Sequence, residues 1–294
     1  MSRQSHIPFR AEWTRREWLE RIGLGLFGVA ASGALCPPMA RAATLTDAEL
    51  MRSLGAWIKH SDLPVPMPSL KERTLLLQGK MLKKWLPPRP GAPVGAMGMI
   101  ITGQGQAEMW LSSADGLHMS GGSREGKLTS HHLPKKGDEM FRWYGFIDLP
   151  APFADRHFLI RTTVNPRAAA ETDGQVWERT WRLEPDGMST VRPLVEAGAI
   201  KGLSPERFEA AIYVPGNMGG WVSIRLPDGR TLFSYHASSS VGGDIPDKLI
   251  NRMVMLNLGK LVTDVETFAK TMRGHYVSGH APVRSGDGGH VPFF

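Results

Sequence analysis

Gly220-Trp221-Val222-Ser223-Ile224-Arg225-Leu226-Pro227-Asp228-Gly229-Arg230-Thr231-Leu232-Phe233-Ser234-Tyr235-His236-Ala237-Ser238-Ser239 is the stretch on which the fold turns. Two runs that alternate in polarity flank Asp228-Gly229, a dipeptide favoured in two-residue hairpin turns. Closing the chain there pairs Leu226 with Thr231, Ile224 with Phe233 and Val222 with Tyr235. Successive strand residues point to opposite faces, so these six share one face, and five of them are apolar or aromatic. The other face, with Trp221, Ser223, Arg225, Leu232, Ser234 and His236, is mixed. The hairpin is therefore expected to turn an apolar wall toward a partner element.

That partner follows directly. After Gly242-Gly243-Asp244-Ile245-Pro246, residues 246–273 read as a long amphipathic helix, with Ile250, Met253, Val254, Asn257, Leu261, Val265 and Phe268 near one stripe. Upstream, Met140 to Leu149, Arg156 to Val164, Val176 to Leu183 and Arg207 to Val214 read as strands, the last with a charged start that also suits a helix. In the second of these Phe158, Ile160, Thr162 and Val164 share a face. In the third Trp177, Trp181 and Leu183 oppose Glu178, Thr180 and Arg182. Thr46-Asp47-Ala48-Glu49 has the spacing of a capping box and predicts a helix to about His60. Proline-rich connections at residues 63–68 and 87–93 bracket a short apolar run, Thr74 to Leu77, that periodicity cannot type. A helix, a run of antiparallel strands and a long closing helix imply an α+β architecture: a curved antiparallel sheet wrapped around the C-terminal helix, with an internal hydrophobic cavity between them. The expected domain is 43–273, and residues 274–294 read as a loose tail.

Three segments in order resemble the START domains, lipid-binding members of the helix-grip superfamily that also contains polyketide cyclase-like proteins. They are Leu149-Pro150-Ala151-Pro152-Phe153-Ala154-Asp155-Arg156-His157-Phe158 entering a strand, Gly220-Trp221-Val222 through Gly229-Arg230-Thr231 to Tyr235, and Gly242-Gly243-Asp244-Ile245-Pro246 leading to Asn251. The resemblance spans residues 149–273 and implies a cavity under the last helix that encloses a lipid or other hydrophobic molecule. Residues 101–130 fit it least.

At the other end of the chain, residues 1–42 have the form of a twin-arginine export signal. Arg15-Arg16 lies in a basic head, Ile22 to Leu35 is an uncharged run of 14 residues, and Ala40-Arg41-Ala42 places small residues for cleavage between Ala42 and Ala43. The run is too short to span a membrane. It predicts passage through the twin-arginine machinery to the periplasm. Cys36, the single cysteine, falls inside the signal and fits lipidation poorly with Leu35 before it, so no disulfide is expected in the exported domain. Beyond the signal 29 basic and 25 acidic residues leave a balance of +4, without a Lys/Arg block of the kind that marks a nucleic-acid groove. Transient contact with an anionic membrane surface stays open.

Catalytic signatures were sought and not found. His131-His132 cannot converge on one metal from a regular element, and no zinc spacing or H-E-x-x-H is present, so neither metal nor cofactor is expected. Ser238-Ser239-Ser240 near His236 lacks a nucleophile elbow. Gly103-x-Gly105 lacks the rest of a dinucleotide motif. The cavity wall is expected to draw on Arg161, Trp177, Arg179, Trp181, Tyr213, Val222, Ile224, Phe233, Tyr235, Ile250, Met253, Val254, Asn257 and Leu261. An inward Arg161 or Arg179 would need a counter-charge or a ligand's polar head, because an unpaired charge in an apolar cavity is very costly. Three functions compete: a carrier of a hydrophobic molecule, a cyclase- or hydratase-like enzyme with an acid or base inside the cavity, and an interaction module with a closed core.

Overall fold

The computed structural model describes residues 44–119, 128–133, 139–149, 151–243, 245, 247–277, 280 and 282–292, with backbone alone for 115–119, 128–130, 139–140, 247–253 and 256. Arg15, Arg16, Ala42 and Ala43 of the expected signal lie outside the described residues. The chain opens with α1 (Asp47–His60) as its capping box dictates: Thr46 Oγ1 accepts from Glu49 N, and Glu49 Oε2 accepts from Thr46 N at 2.8 Å. Ser69 and Glu72 repeat the device at the start of α2 (Leu70–Leu77), which types the ambiguous Thr74–Leu77 run as helix. Then come β1 (Leu82–Leu86), β2 (Val94–Thr102), α3 (Gln106–Met119), β3 (Leu128–Leu133), β4 (Glu139–Ile147) and β5 (Arg156–Val164). They are followed by α4 (Pro166–Ala170), β6 (Val176–Leu183), α5 (Gly187–Glu196), α6 (Pro205–Ala210), β7 (Ile212–Tyr213), β8 (Gly216–Arg225) and β9 (Thr231–Ser240). The chain closes with α7 (Asp247–Ala269) and α8 (Met272–His275). The expected strand at 207–214 is thus mostly α6, its charged start capped by Ser204, with β7 as a two-residue remnant.

The strands form one sheet in the order β1-β2-β9-β8-β6-β5-β4-β3, antiparallel throughout, with β7 added in parallel to the start of β5. One face receives α7 and α3; the other receives α1, α2, α5 and α6. This is a helix grip. We call the face under α7 the inner face.

The β8–β9 hairpin is shifted by one residue from its expected register. Leu226 N donates to Arg230 O and Gly229 N to Leu226 O, so the loop has three residues, Pro227-Asp228-Gly229. Pro227 sets the turn, and Gly229 takes φ +83°, the left-handed position of a G1 bulge. Trp221 therefore faces Tyr235, Ser223 faces Phe233 and Ile224 faces Leu232. A one-residue slip sends half the side chains to the other face. Val222 and Ile224, expected on the cavity wall, lie on the outer face in the core under α1 and α2, with Leu54, Trp57 and Val176.

The outer face is held by buried polar groups as well as by apolar area. The Glu178 carboxylate, fully buried, accepts from Trp57 Nε1 (2.9 Å), Ser61 Oγ (2.6 Å), Asp62 N (3.0 Å) and Asn165 Nδ2 (2.7 Å). It ties the end of α1 and the start of α4 to β6. Two histidines are sealed on the same face. His236 lies against Trp57, and neither ring nitrogen has a partner. His157 holds Tyr144 Oη at 3.0 Å through Nδ1 and has no partner at Nε2. Burial pushes His157 down to about 4, and burial together with the nearby Arg89 cation pushes His236 down to about 3. An unfolded chain binds these protons from about pH 6.5 downward, whereas the native chain resists them, so acid favours unfolding. Urea-derived stability is expected to fall as pH drops from about 6.5 toward 4, and H236F is expected to flatten that slope. A pH-independent wild type across this window would contradict the buried, neutral state of both rings.

Candidate ligand-binding site

The inner wall is built of aromatic side chains that two glycines allow to lie flat. The Trp181 ring crosses Gly219 of the neighbouring strand, where a Cβ would overlap it, and its Nε1 reaches Asn217 Oδ1 at 2.9 Å. Phe158 likewise crosses Gly145, where a Cβ would stand 2.6 Å from its ring. Tyr235 stacks on Trp181 (centroids 5.6 Å apart, 27° between planes) and meets Trp221 at 4.4 Å. Trp221 in turn stacks on Phe233 at 5.5 Å. Trp143 approaches Phe158 edge-on at 5.4 Å. Such offset and edge-on pairs hold one another in place beyond their buried area.

Over this wall α7 is packed unevenly. At its C-terminal half Leu258, Leu261, Val262, Val265 and Ala269 are all buried. The helix comes close because Gly98 on β2 leaves Leu258 and Val262 only 3.1 Å from where a Cβ would be. Toward its N-terminal half burial becomes partial: Val254 and Met255 on the helix, and Trp143, Leu149, Leu183 and Ala237 of the same cluster, are half-buried. The core under α7 is thus closed at one end and loosely covered at the other. At the loose end Gly242 and Gly243 both adopt positive φ between β9 and α7. A cavity of about 80 Å³ there is lined by Pro93, Val94, Ser240, Val241, Gly242, Gly243 and Ile245. The buried Arg156 guanidinium fastens this connection, donating from Nε to Val241 O (2.7 Å) and from Nη2 to Gly242 O (2.8 Å).

The structure separates the expected wall residues into groups. Trp181, Phe233 and Tyr235 lie on the inner wall, and Val254 and Leu261 face it from α7. Asn257 is half-buried on α7, and the side chains of Ile250 and Met253 lie outside the described atoms. Arg161 is exposed on the outer face opposite Arg142 and Arg182, because the alternation that turns Phe158, Ile160 and Thr162 inward turns it out. Tyr213 is also outside: it packs on His157 at 5.2 Å, and its Oη donates to Glu184 O. Trp177 and Arg179 do point inward, but to the closed end. Arg179 donates to Trp110 O (3.2 Å) and Ser113 Oγ (2.6 Å) of α3, with its guanidinium over the Trp110 ring. Trp177 packs on Trp110 at 5.7 Å. The expected loose tail is instead part of this end, with Val291 in the same cluster and Arg284 O accepting from Trp110 Nε1. Trp143, Phe158 and Asn217 belong to the wall and were not picked out as site residues. The alternation Phe141-Trp143-Gly145-Ile147 carries the signal for the first of them.

No family model and no curated protein matches the chain. Several solved structures are similar to it at low identity. One is human STARD10, with 9% identity, a TM-score of 0.45, and coverage of 74% of this chain and 86% of that one. Another is a STAR-related lipid transfer protein fragment from Xanthomonas axonopodis, with 15% identity, a TM-score of 0.43, and coverage of 64% and 98%. A third is the Zhui aromatase/cyclase from Streptomyces, with 11% identity, a TM-score of 0.38, and coverage of 60% and 93%.

The flat seating of Trp181 is the feature most open to a direct check. G219A places a methyl group against both the indole and the His236 carbonyl. It is expected to cost about 2 kcal/mol of stability, typical of overpacking, and to weaken the near-ultraviolet circular dichroism of the stacked rings. A neutral effect on both would show that the ring is not pinned across the sheet.

Proposed function

We propose that this protein is an exported, non-enzymatic carrier that encloses a lipid or other hydrophobic small molecule between the inner wall and the N-terminal half of α7. The observation that carries the reading is the burial gradient along α7: Leu258 and Val262 are buried over Gly98, while Val254 and Met255 nearer its start, with Trp143 and Leu183 of the same cluster, are only half-buried. An apolar ligand entering at the open end would be stabilised by about 25 cal/mol for each Å² of apolar surface it hides from water. The N-terminal half of α7, hinged at Gly242-Gly243, would be the gate. The export signal expected from residues 1–42 supports a periplasmic setting for this activity, where delivery would need only brief contact with a membrane surface.

A cyclase- or hydratase-like role needs an inward acid or base. Tyr235 is an ionisable group of the inner wall, and burial pushes its phenol well above its ordinary value. Such a group keeps its proton, which suits holding a ligand better than abstracting a proton. The carrier reading therefore stands first.

The test is extraction of the natively purified exported protein with organic solvent, followed by mass spectrometry. A hydrophobic species near one per protein is expected, and the W181A variant should lose most of it. An empty protein that also fails to take up labelled lipids from vesicles would end the carrier reading.

A further inference from the structure

Three other buried indoles of the fold have hydrogen-bond partners. Trp57 Nε1 has Glu178, Trp110 Nε1 has the Arg284 carbonyl, and Trp181 Nε1 has Asn217. Trp143 is the exception: its Nε1–H is sealed from solvent and has no hydrogen-bond partner. Leaving a buried donor unmade costs on the order of 1–3 kcal/mol, so its retention calls for an explanation. Trp143 stands on the inner wall at the loosely covered end, opposite Ile160 on β5 and edge-on to Phe158, with Ile147, Leu149, Trp181 and Leu183 in the same cluster. A stable buried water wants two to four polar partners, whereas the side chains around Trp143 in this cluster, Ile147, Leu149, Phe158, Ile160 and Leu183, are apolar. An acceptor atom attached to an apolar body meets the requirement, because the body is held by the wall and the acceptor by the indole.

We propose that Trp143 Nε1–H is the donor that fixes the polar end of the bound molecule, and that this molecule is an apolar body carrying an uncharged oxygen acceptor such as a ketone, ester or ether. The proposal rests on the carrier reading and adds the ligand's chemistry to it. An anionic head suits the site poorly. Arg156, at the connection between β9 and α7, is committed to the Ala154, Val241 and Gly242 carbonyls, and Arg179 is held by α3 at the closed end. A carboxylate set down on the wall would be buried without a counter-charge.

The test uses two fluorescent probes with one ring system, pyrene and 1-acetylpyrene, titrated into the mature protein freed of bound lipid. The wild type is expected to bind 1-acetylpyrene about tenfold more tightly than pyrene, a ratio that corresponds to about 1.4 kcal/mol. W143F keeps an aromatic ring and removes the donor; it should bind both probes with the affinity the wild type has for pyrene. In the wild type itself, the Trp143 indole N–H resonance should move on adding 1-acetylpyrene and stay in place with pyrene, a readout that does not depend on the variant folding. Binding of both probes without preference, an unmoved resonance, or a preference kept by W143F would overturn the proposal while leaving the carrier reading intact. Binding of neither probe by the wild type would remove the carrier reading and the proposal together.

Discussion

The contact on which the rest depends is the seating of Leu258 and Val262 of α7 on Gly98 of β2. A glycine in the middle of a strand leaves a shallow groove, and two branched side chains sink into it. This fixes the C-terminal half of the helix against the sheet, with Leu261, Val265 and Ala269 completing a closed core. The N-terminal half cannot be held in the same way. There the half-buried Val254 and Met255 record the looser contact. One helix thus carries two functions in series, an anchor and a cover.

The two faces of the sheet solve different problems. On the outer face Glu178 collects four donors from β6's neighbours, and the apolar side chains of α1 and α2 close over Val222, Ile224 and Leu232. Polar satisfaction there fixes the N-terminal segment in one position. On the inner face aromatic rings are oriented by one another and by glycines, and a donor is left waiting at Trp143.

Much of this was readable from the residues. The capping box at Thr46 and Glu49 marks the start of α1, and the period-two pattern of Phe158, Ile160 and Thr162 against Arg161 assigns the faces of β5. The same alternation turns Arg161 to the outer face, away from the wall expected of it. The β8–β9 hairpin lies where the alternation predicts it but pairs one residue away from the register that a two-residue Asp228-Gly229 turn implies. Pro227 ahead of it was the missed sign, since it sets the first corner of a three-residue loop and leaves Gly229 for the bulge. That single shift exchanged Trp221 for Val222 and Ile224 on the wall. The engagement of Arg179 with Trp110 and Ser113 could not be read, because it spans about 66 residues of chain and depends on how α3 lands. The packing of Val291 beside Trp110 is long-range in the same sense.

Hydrogen exchange along α7, read peptide by peptide with and without a bound hydrophobic probe, examines the central claim most directly. Amides at 247–257 should exchange much faster than those at 258–269 in the empty protein, and a bound probe should slow the first group while barely changing the second. Uniform protection along the helix, unaltered by any apolar probe, would contradict the account.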